Sequence, residues 1–519
     1  MTPVYWAAVI LYCLAVMFVG WKFRRSGSHT QLDFWMADRQ ISGFRLGISL
    51  ASGWLMLGWI GFGMSQIYMF GASGLWILPI PWVLLTLIIV AAAPLFRRIP
   101  SISLPQAIEK RFGSQARAFL AVLSFGVFLS WTQAELFMAG TLASPFLGIP
   151  PWLVMVLLVV PILFYTWHGG FRAIVTTDLL QFVIMAAFMV ILAFAGYKAA
   201  GAAAGGNLGE ALAQASPPWS GQGEAGNLWF LGILFPVVLL IGYLPGWLLE
   251  QDLVVRMQAA PSTREARKGA WLGVVLIGVF ICLLPAIAAF YALIAYPPVD
   301  GVPAEAVGPG ALSIISTLIS TLPNWVSVFM VLGLVACQMS TIDTFSNVTA
   351  MPIAHDIIEP RLKKKGVSPE RRHLSSRLVS MGAIFLALLC ALASETLGDV
   401  YYISSGVLSA CIAVPFLFAF WKRTTLPGVM AAAVTGLIGT IGGYFWEYYS
   451  IAENYTEVLP GWLQNSYGYN YLAFGVILSV VSIVVVSLVT KPSTAEKLAS
   501  VHAAPVDDFG TFSAHAESW

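Results

Sequence analysis

Charged residues are scarce in this chain: they make up 10% of its 519 residues, whereas apolar residues make up 58%. A soluble globular domain carries roughly 25% charged residues, so this composition cannot cover a water-exposed surface of such a size. The mean hydropathy of +0.81 points the same way. The shortage of charge excludes an ordinary soluble protein and predicts one that lies in a membrane.

Cysteine and histidine are absent from the patterns in which they carry chemistry. The cysteines lie in apolar segments without the spacing of a metal site, which argues against zinc and disulfides; they are Cys13, Cys282, Cys337, Cys390 and Cys411. The six histidines fall in predicted cytoplasmic loops or the C-terminal tail, so no histidine relay crosses the membrane. No nucleophile motif or phosphate loop is visible, and Gly169-Gly170 is typical of a turn, so we do not expect an enzyme.

What the chain has instead is a series of apolar segments, each long enough to cross a hydrocarbon core of ~30 Å as a helix. Helices and closed barrels are the structures that satisfy their backbone polar groups in lipid. We therefore predict an all-α membrane protein with about 13 transmembrane helices. The predicted spans are 4–22, 43–69, 74–96, 118–145, 151–168, 174–197, 229–254, 269–296, 323–349, 376–394, 398–421, 427–447 and 470–490.

Basic residues lie on one side of this predicted membrane. All 27 lysines and arginines except Lys198 fall there, and basic loops stay in the cytoplasm. We therefore predict a protein of the inner (plasma) membrane, surrounded by lipid, with its N-terminus outside and its C-terminus in the cytoplasm. Because the basic residues flank apolar spans, they are interpreted as orientation signals and not as a nucleic-acid patch. Residues 1–490 are predicted to form one transmembrane domain and 491–519 a polar cytoplasmic tail.

Two of the predicted spans are not simple helices. The second span has glycines at 47, 53, 58, 61 and 63, and the seventh contains Pro245-Gly246 near its middle. Proline removes a backbone donor and clashes with the preceding turn. Single glycines often serve close helix packing, but two interrupted spans in corresponding positions of two halves point to the binding site of a secondary transporter.

Five short segments resemble the sodium:solute symporter family. They occur in the family's order and on the expected spans, from about residue 33 to residue 428. The segments are Asp33–Arg39, Tyr165–Ala173, Thr176–Gln181, Met339–Thr344, and Phe420–Arg423 followed by Gly428. The resemblance implies the leucine-transporter-type fold, with spans 2–6 (about 43–197) and 7–11 (about 229–421) as two inverted five-helix repeats. It also implies sodium-driven uptake by alternating access.

The family's main sodium site is carried over from this resemblance. It implies backbone carbonyls at Ile48, Ala51 and Cys337 and hydroxyls at Ser340 and Thr341. Sodium is a hard cation that takes about five or six oxygens, and neutral oxygens bind it weakly enough to release it. The alternative for the two hydroxyls is a bond back to the carbonyl four residues earlier in their own helix.

Two acids are expected along the path of the sodium ion. Asp178 lies near the cytoplasmic end of the sixth span, and Asp343 follows the two proposed hydroxyl ligands. By resemblance, Asp178 attracts sodium or hands it on. A carboxylate placed to favour a helix end is the alternative for Asp178.

Acids inside apolar spans are costly and are candidates for function. Glu250 and Gln251 occupy the family's Asn-Gln pair, and Glu135 stands where relatives often have a neutral residue. Two acids facing one cavity favour a cationic or zwitterionic solute, with Trp54 and Trp247 (and Trp59) available to stack on it. These acids could instead pair with Arg256 and hold an inner gate, or carry a proton, and the tryptophans could simply pack.

The sequence thus predicts a sodium-coupled symporter that imports a small polar organic solute, such as an amino acid or a carboxylate, and that works as a monomer. Proton coupling through Glu250 or Glu135 is the first alternative. A membrane sensor with a transporter fold is the second, and the short tail argues against it. Sodium is the one coupling ion that the motifs imply.

Overall fold

The structure is a computed structural model that describes residues 2–22, 31–99, 101–221, 223–394, 398–452 and 469–494. All regular elements within these residues are helical, so the predicted all-α class is confirmed. Most of the predicted tail lies outside the described residues, as do Arg24 and Arg25, which entered the prediction of orientation.

The described part of the first half of the chain contains nine α-helices. They are α1 (Thr2–Lys22), α2 (Gln31–Met36), α3 (Gly43–Gly53), α4 (Leu57–Phe70), α5 (Pro79–Arg98), α6 (Leu104–Phe112), α7 (Ser114–Leu147), α8 (Pro151–Ala203) and α9 (Leu208–Gln214). The described part of the second half contains α10 (Leu234–Leu248), α11 (Gln251–Gln258), α12 (Thr263–Ile277), α13 (Leu284–Ala295), α14 (Ile314–Ser320), α15 (Asn324–Met351), α16 (Glu359–Lys364), α17 (Pro369–Leu392), α18 (Gly398–Val407), α19 (Val414–Phe418), α20 (Leu426–Leu437), α21 (Gly443–Ala452) and α22 (Asn470–Val489). Among the residues that the structure describes, four π-helical stretches continue helices without ending them: Gly278–Leu283, Pro352–Ile358, Leu408–Ala413 and Ile438–Gly442.

Ten helices in the described residues are long and apolar enough to cross a membrane, and there are up to twelve such spans if two bent helix pairs each count as one. A multi-pass membrane protein is therefore what the chain forms. A shorter apolar helix, Pro151–Phe164, occupies the place of the fifth predicted span. Exposed apolar side chains on the outer helices suit contact with lipid; Val183, Phe194 and Val489 are examples.

The first break falls in the predicted second span. Helix α3 ends at Gly53, Leu55 and Met56 have no helical assignment, and α4 leaves at an angle of 58°. A Cβ added at Gly53 would lie 2.5 Å from the guanidinium of Arg256, and one added at Gly58 would meet side chains from two other elements. The small residues at this break thus allow side chains from other helices to approach it closely.

The second break falls in the predicted seventh span, but a few residues later than the proline. Helix α10 continues through Pro245 to Leu248, and the chain bends by 41° before α11 begins at Gln251. The hydroxyl of Ser409 accepts a hydrogen bond from the backbone N–H of Gly246 at 3.0 Å. Neighbouring side chains can satisfy backbone groups near a proline in a membrane helix, which is how the helix passes this residue.

Helix α8 covers both the fifth and the sixth predicted spans. Its residues are helical except at Gly170, where φ is +53° and ψ is −160°. This backbone conformation belongs almost entirely to glycine. The chain turns there as the Gly169-Gly170 pattern predicted, and the segment after the turn carries Asp178.

Helix α15 is the central element. Nearly all of its side chains from Met330 to Met351 are buried, so it is apolar or packed on every side rather than on one stripe. It packs against α7 and α8 and contacts α3, while α3 packs against α8 and α12. This packing brings the first break, the second half of α8 and the middle of α15 together.

Candidate functional site

Buried hydroxyl groups from α3 and α15 meet beside the first break. The side-chain oxygens of Ser52 and Ser340 lie 2.8 Å apart, and both residues are completely buried. The hydroxyl of Thr341 is directed at the carbonyl oxygen of Leu55 at 3.5 Å, within the broken segment. Both predicted hydroxyl groups of α15 therefore point to other elements, and not to the carbonyl four residues earlier in their own helix.

Asp178 lies inside this cluster of hydroxyls. Ser340 donates to its Oδ1 and Ser49 to its Oδ2, each at 2.6 Å, while Ser52 lies 3.4 Å from its backbone carbonyl. The carboxylate is fully buried. Asp178 thus contacts Ser340, a predicted sodium ligand, directly. It lies at the predicted sodium site itself and not only on an exit path from that site.

A single buried arginine holds the other side of the cluster. The guanidinium of Arg256 donates to Ser49 at 3.3 Å, to Thr344 at 2.9 Å and to Oδ2 of Asp252 at 3.1 Å. It also lies 3.8 Å from Oδ2 of Asp178. Buried charges are tolerated when they are paired and hydrogen-bonded, and this network provides both.

The remaining predicted sodium residues lie on the same two helices. Ala51 is buried and Ile48 half-buried on α3, and Cys337 is fully buried on α15, one turn before Ser340. Asp343 is fully buried further along α15. The five predicted ligands therefore share one region, between the first break and the centre of α15.

Glu135 lies on the far side of the first break. It comes from α7, is fully buried, and accepts a hydrogen bond at Oε2 from the backbone N–H of Gly58 at 3.0 Å. The hydroxyl of Tyr401 donates to Oε1 at 2.6 Å. Gly58 is the second residue of α4, whose first N–H groups have no partner within the helix. Glu135 therefore caps the second half of the broken helix from a different helix.

Beside this cap lie five aromatic rings in contact with one another, and we call them the aromatic cluster: Trp59, Tyr243, Trp247, Tyr401 and Tyr402. Trp59 packs against Tyr401 at 4.4 Å between ring centroids, with the ring planes tilted by 35°. Tyr243 stacks on Trp247 at 4.5 Å and on Tyr402 at 5.9 Å, with the rings nearly parallel. Trp59 stands at right angles to Trp247 at 5.6 Å. All five are at most 2% exposed.

The other predicted solute residues lie at or beside the second break. Glu250 is buried just before α11, with no hydrogen-bond partner for Oε2 among the described residues. The indole N–H of Trp54 donates to Asp252 at 3.0 Å, and that of Trp247 to Ser405 at 3.2 Å. The Gln251 amide is held by the loop before α6: it accepts from the backbone N–H of Leu104 at 3.0 Å and donates to the carbonyl of Ile102 at 3.2 Å.

Two broken helices that meet across buried hydroxyls and carboxylates are the arrangement by which a secondary transporter holds an ion and a solute. Comparison of the chain with known protein families agrees with this arrangement. The chain belongs to the sodium:solute symporter family, whose model matches residues 34–436. The resemblance found in the sequence motifs is thereby confirmed. The members of this family are transporters, which supports the expectation that the protein is not an enzyme.

The names of individual relatives indicate different solutes. The sodium/glucose cotransporter of Vibrio parahaemolyticus is 27% identical, over 83% of this chain and 82% of that protein. The osmoregulated proline transporter OpuE of Bacillus subtilis (strain 168) is 24% identical, over 93% of this chain and 94% of that protein. The structure of a Na+-coupled sialic acid symporter in a substrate-bound outward-open state matches with a TM-score of 0.72 and 19% identity, over 95% of this chain and 99% of that chain. That similarity shows a shared fold.

Several residues of this site were assigned no role from the sequence. Ser49 and Ser52 are hydroxyl residues of the glycine-rich second span, and Thr344 ends the Met339–Thr344 segment. Their contacts with Asp178 and Arg256 depend on the fold. Tyr401 is half of a Tyr-Tyr pair in an apolar segment. A tyrosine in the middle of a span needs a hydrogen-bond partner for its hydroxyl, so this pair indicated a polar partner nearby.

Proposed function

We propose that this protein is a sodium-coupled symporter that imports a small polar organic solute, zwitterionic or cationic, across the plasma membrane by alternating access. The observation that carries the proposal is the 2.8 Å approach of the Ser52 and Ser340 hydroxyls beside the first break. There, neutral oxygens of α3 and α15 and the carboxylate of Asp178 come together. Oxygen donors are what a hard cation such as sodium prefers.

In this proposal the sodium ligands are the carbonyl oxygens of Ile48, Ala51 and Cys337 and the hydroxyls of Ser340 and Thr341. Asp178 and Asp343 supply negative charge along the path of the ion. The solute binds between the two breaks, next to the aromatic cluster, where Glu135 and Glu250 supply buried carboxyl groups. The amide of Gln251 is engaged with the loop before α6, so its part in solute binding would require that loop to move.

The proposed topology completes this picture. Adding the short apolar helix Pro151–Phe164 to the twelve spans gives the thirteen crossings that the sequence predicts. The N-terminus is then outside and the C-terminus in the cytoplasm. Residues 43–197 and 229–421 form the two inverted repeats of one transmembrane domain (1–490), which works as a monomer.

Sodium binding can be tested before the solute is known, because a ligand that binds the folded state raises the unfolding temperature. We expect sodium chloride to raise the unfolding temperature of the purified protein above its value in potassium chloride. A Ser340→Ala, Thr341→Val double variant should lose this difference. Thr349→Val is the matched control, since Thr349 lies on the same helix and faces Thr132 at 3.2 Å. An equal response to sodium in the double variant would rule out this site.

Transport itself is tested in vesicles with solutes that stabilise the protein in the presence of sodium. Uptake should collapse when external sodium is replaced by potassium, and should be lost in the double variant. Undiminished uptake in both tests would contradict sodium coupling.

Proton coupling is the second candidate, and the buried Glu250, with one carboxyl oxygen unpaired in the described chain, is the observation that favours it. It predicts uptake that follows a pH gradient without sodium and that is abolished by Glu250→Gln. Sodium-dependent uptake that survives Glu250→Gln would exclude it.

A further inference from the structure

Glu135 is a buried carboxylate without an ion-pair partner in the part of the chain that the structure describes. In that part of the chain, Arg256 pairs with Asp178 and Asp252, and the remaining ion pairs do not include Glu135. Burying an unpaired carboxylate is expensive, even with hydrogen bonds. The neighbouring rings of Trp59 and Tyr401 carry no charge that would balance it.

The hydrogen bonds of Glu135 leave its charge unbalanced. The carboxylate accepts from the backbone N–H of Gly58, from the hydroxyl of Tyr401 and, in the orientation that satisfies both atoms of the Gln338 amide, from that amide at 3.2 Å. All of these donors are neutral. The carboxylate also fills the N-terminal end of α4. In broken-helix transporters this positive end is where the anionic group of a solute binds. Here the protein's own carboxylate already occupies it.

The aromatic cluster next to Glu135 offers ring faces, which attract cations. Trp59 packs against Tyr401 with the two ring planes tilted by 35°, and Tyr401 bonds directly to the carboxylate. Ring faces of tryptophan and tyrosine grouped around one position are the arrangement that binds organic ammonium ions. The rings contact each other in this conformation, so a ligand must separate them. They belong to three elements, α4, α10 and α18, and a shift of one element against the others can do so.

From these three observations we infer that the solute is a small organic ammonium ion without a carboxylate, held against the rings of the aromatic cluster and balanced in charge by Glu135. The inference rests on the proposed symport function and narrows its solute class. An amino acid would bring a second carboxylate to an end of α4 that is already capped. A sugar has no positive charge to compensate Glu135.

The test uses ligands of one shape and different charge on the purified full-length protein in sodium chloride. Choline carries a trimethylammonium group and no carboxylate, glycine betaine adds the carboxylate, and 3,3-dimethylbutanol replaces the charged nitrogen by carbon. Ethanolamine is included as a smaller ammonium ion, and proline and glucose represent the solutes named in relatives. Binding is followed by thermal stabilisation and by quenching of tryptophan fluorescence.

We expect choline or ethanolamine to bind about tenfold or more tightly than glycine betaine, dimethylbutanol, proline or glucose, a factor that corresponds to about 1.4 kcal/mol. Glu135→Gln should weaken the binding of the ammonium ion by a similar factor, whereas Glu135→Asp should weaken this binding less. Glu210→Gln, which removes an exposed carboxylate on α9, is the control and should change nothing.

Tighter binding of glycine betaine or proline, binding of glucose, equal binding to Glu135→Gln, or no binding of either ammonium ion would overturn the inference. Sodium-induced stabilisation is recorded in the same samples. Its persistence in Glu135→Gln shows that this variant is folded. A sodium response together with tight proline binding would disprove the solute class and leave sodium symport standing, whereas loss of the sodium response in the natural protein would disprove symport itself.

Discussion

Arg256 and Asp178 are joined through a shared partner, because the hydroxyl of Ser49 donates to the aspartate at 2.6 Å and accepts from the arginine at 3.3 Å. The two charges themselves are 3.8 Å apart and fully buried. A fixed cation thus stands close to the place where a mobile one is proposed to bind. The arginine offsets the acid when sodium is absent, without removing the hydroxyl groups that would receive the ion.

Replacing Arg256 by Gln should destabilise the fold strongly, since it leaves Asp178 and Asp252 buried without a cation. Loss of one partner of a buried pair costs roughly 3–5 kcal/mol. Adding Asp252→Asn should restore part of the loss, so the two changes will not be additive in thermal unfolding. The exposed Arg45, changed to Gln, serves as a control for loss of charge. Additive effects would show that the pair does not act as a unit.

Replacing Asp178 by Asn should weaken sodium binding by about tenfold or more, equivalent to about 1.4 kcal/mol, because the amide keeps the shape but not the charge beside Ser340. The measurement is the sodium concentration that gives half of the maximal thermal stabilisation. Asp33→Asn, which removes an acid paired with Arg172 at 3.3 Å, is the comparison and should leave this concentration unchanged. An unaltered sodium dependence in Asp178→Asn would remove the aspartate from the ion's path.

Replacing Gly58 by Ala should abolish solute binding and uptake. The added Cβ would clash with the hydroxyl of Tyr401 and would lie 2.7 Å from Oε1 of Glu135, so the cap on α4 must move. Gly126→Ala on α7 is the same chemical change with nothing within 4 Å of the new atom, and should behave like the natural protein. Normal uptake by Gly58→Ala would mean that the capped geometry is not needed for transport.

Replacing Gly170 by Ala should lower the unfolding temperature, because the backbone conformation at this turn costs any other residue about 1–3 kcal/mol. The new Cβ would also meet Phe34 at 3.0 Å. Gly278→Ala, in a helical position with open space, provides the reference. Equal stability of the two variants would show that the turn at Gly170 adapts.

The membrane fold was predictable because its signals are local. Apolar length, basic loops and the glycines and proline of two spans are all visible in the sequence, and both breaks occur in the predicted spans. The exact position of the second break was not visible, since the partner that stabilises the chain near Pro245 is Ser409, far along the sequence.

The site was predictable where one helix supplies it, and not where several helices must meet. Ser340 and Thr341 follow from a motif on one helix, and their hydroxyls do face the first break. The direct bond from Ser340 to Asp178, and the use of the Gln251 amide by the loop before α6, depend on how separate helices pack. The same holds for the cap that Glu135 forms on α4.

That cap has a consequence for the energy source of the carrier. A solute that brings its own positive charge to Glu135, carried together with one sodium ion, moves two charges inward in each cycle. Each charge that crosses a potential of about 100 mV gains about 2.3 kcal/mol. Voltage alone would then concentrate the solute by about three orders of magnitude, whereas a neutral solute carried with one sodium ion receives half of this free energy. Vesicles without a membrane potential would therefore accumulate far less of the positively charged solute, even with the sodium gradient intact.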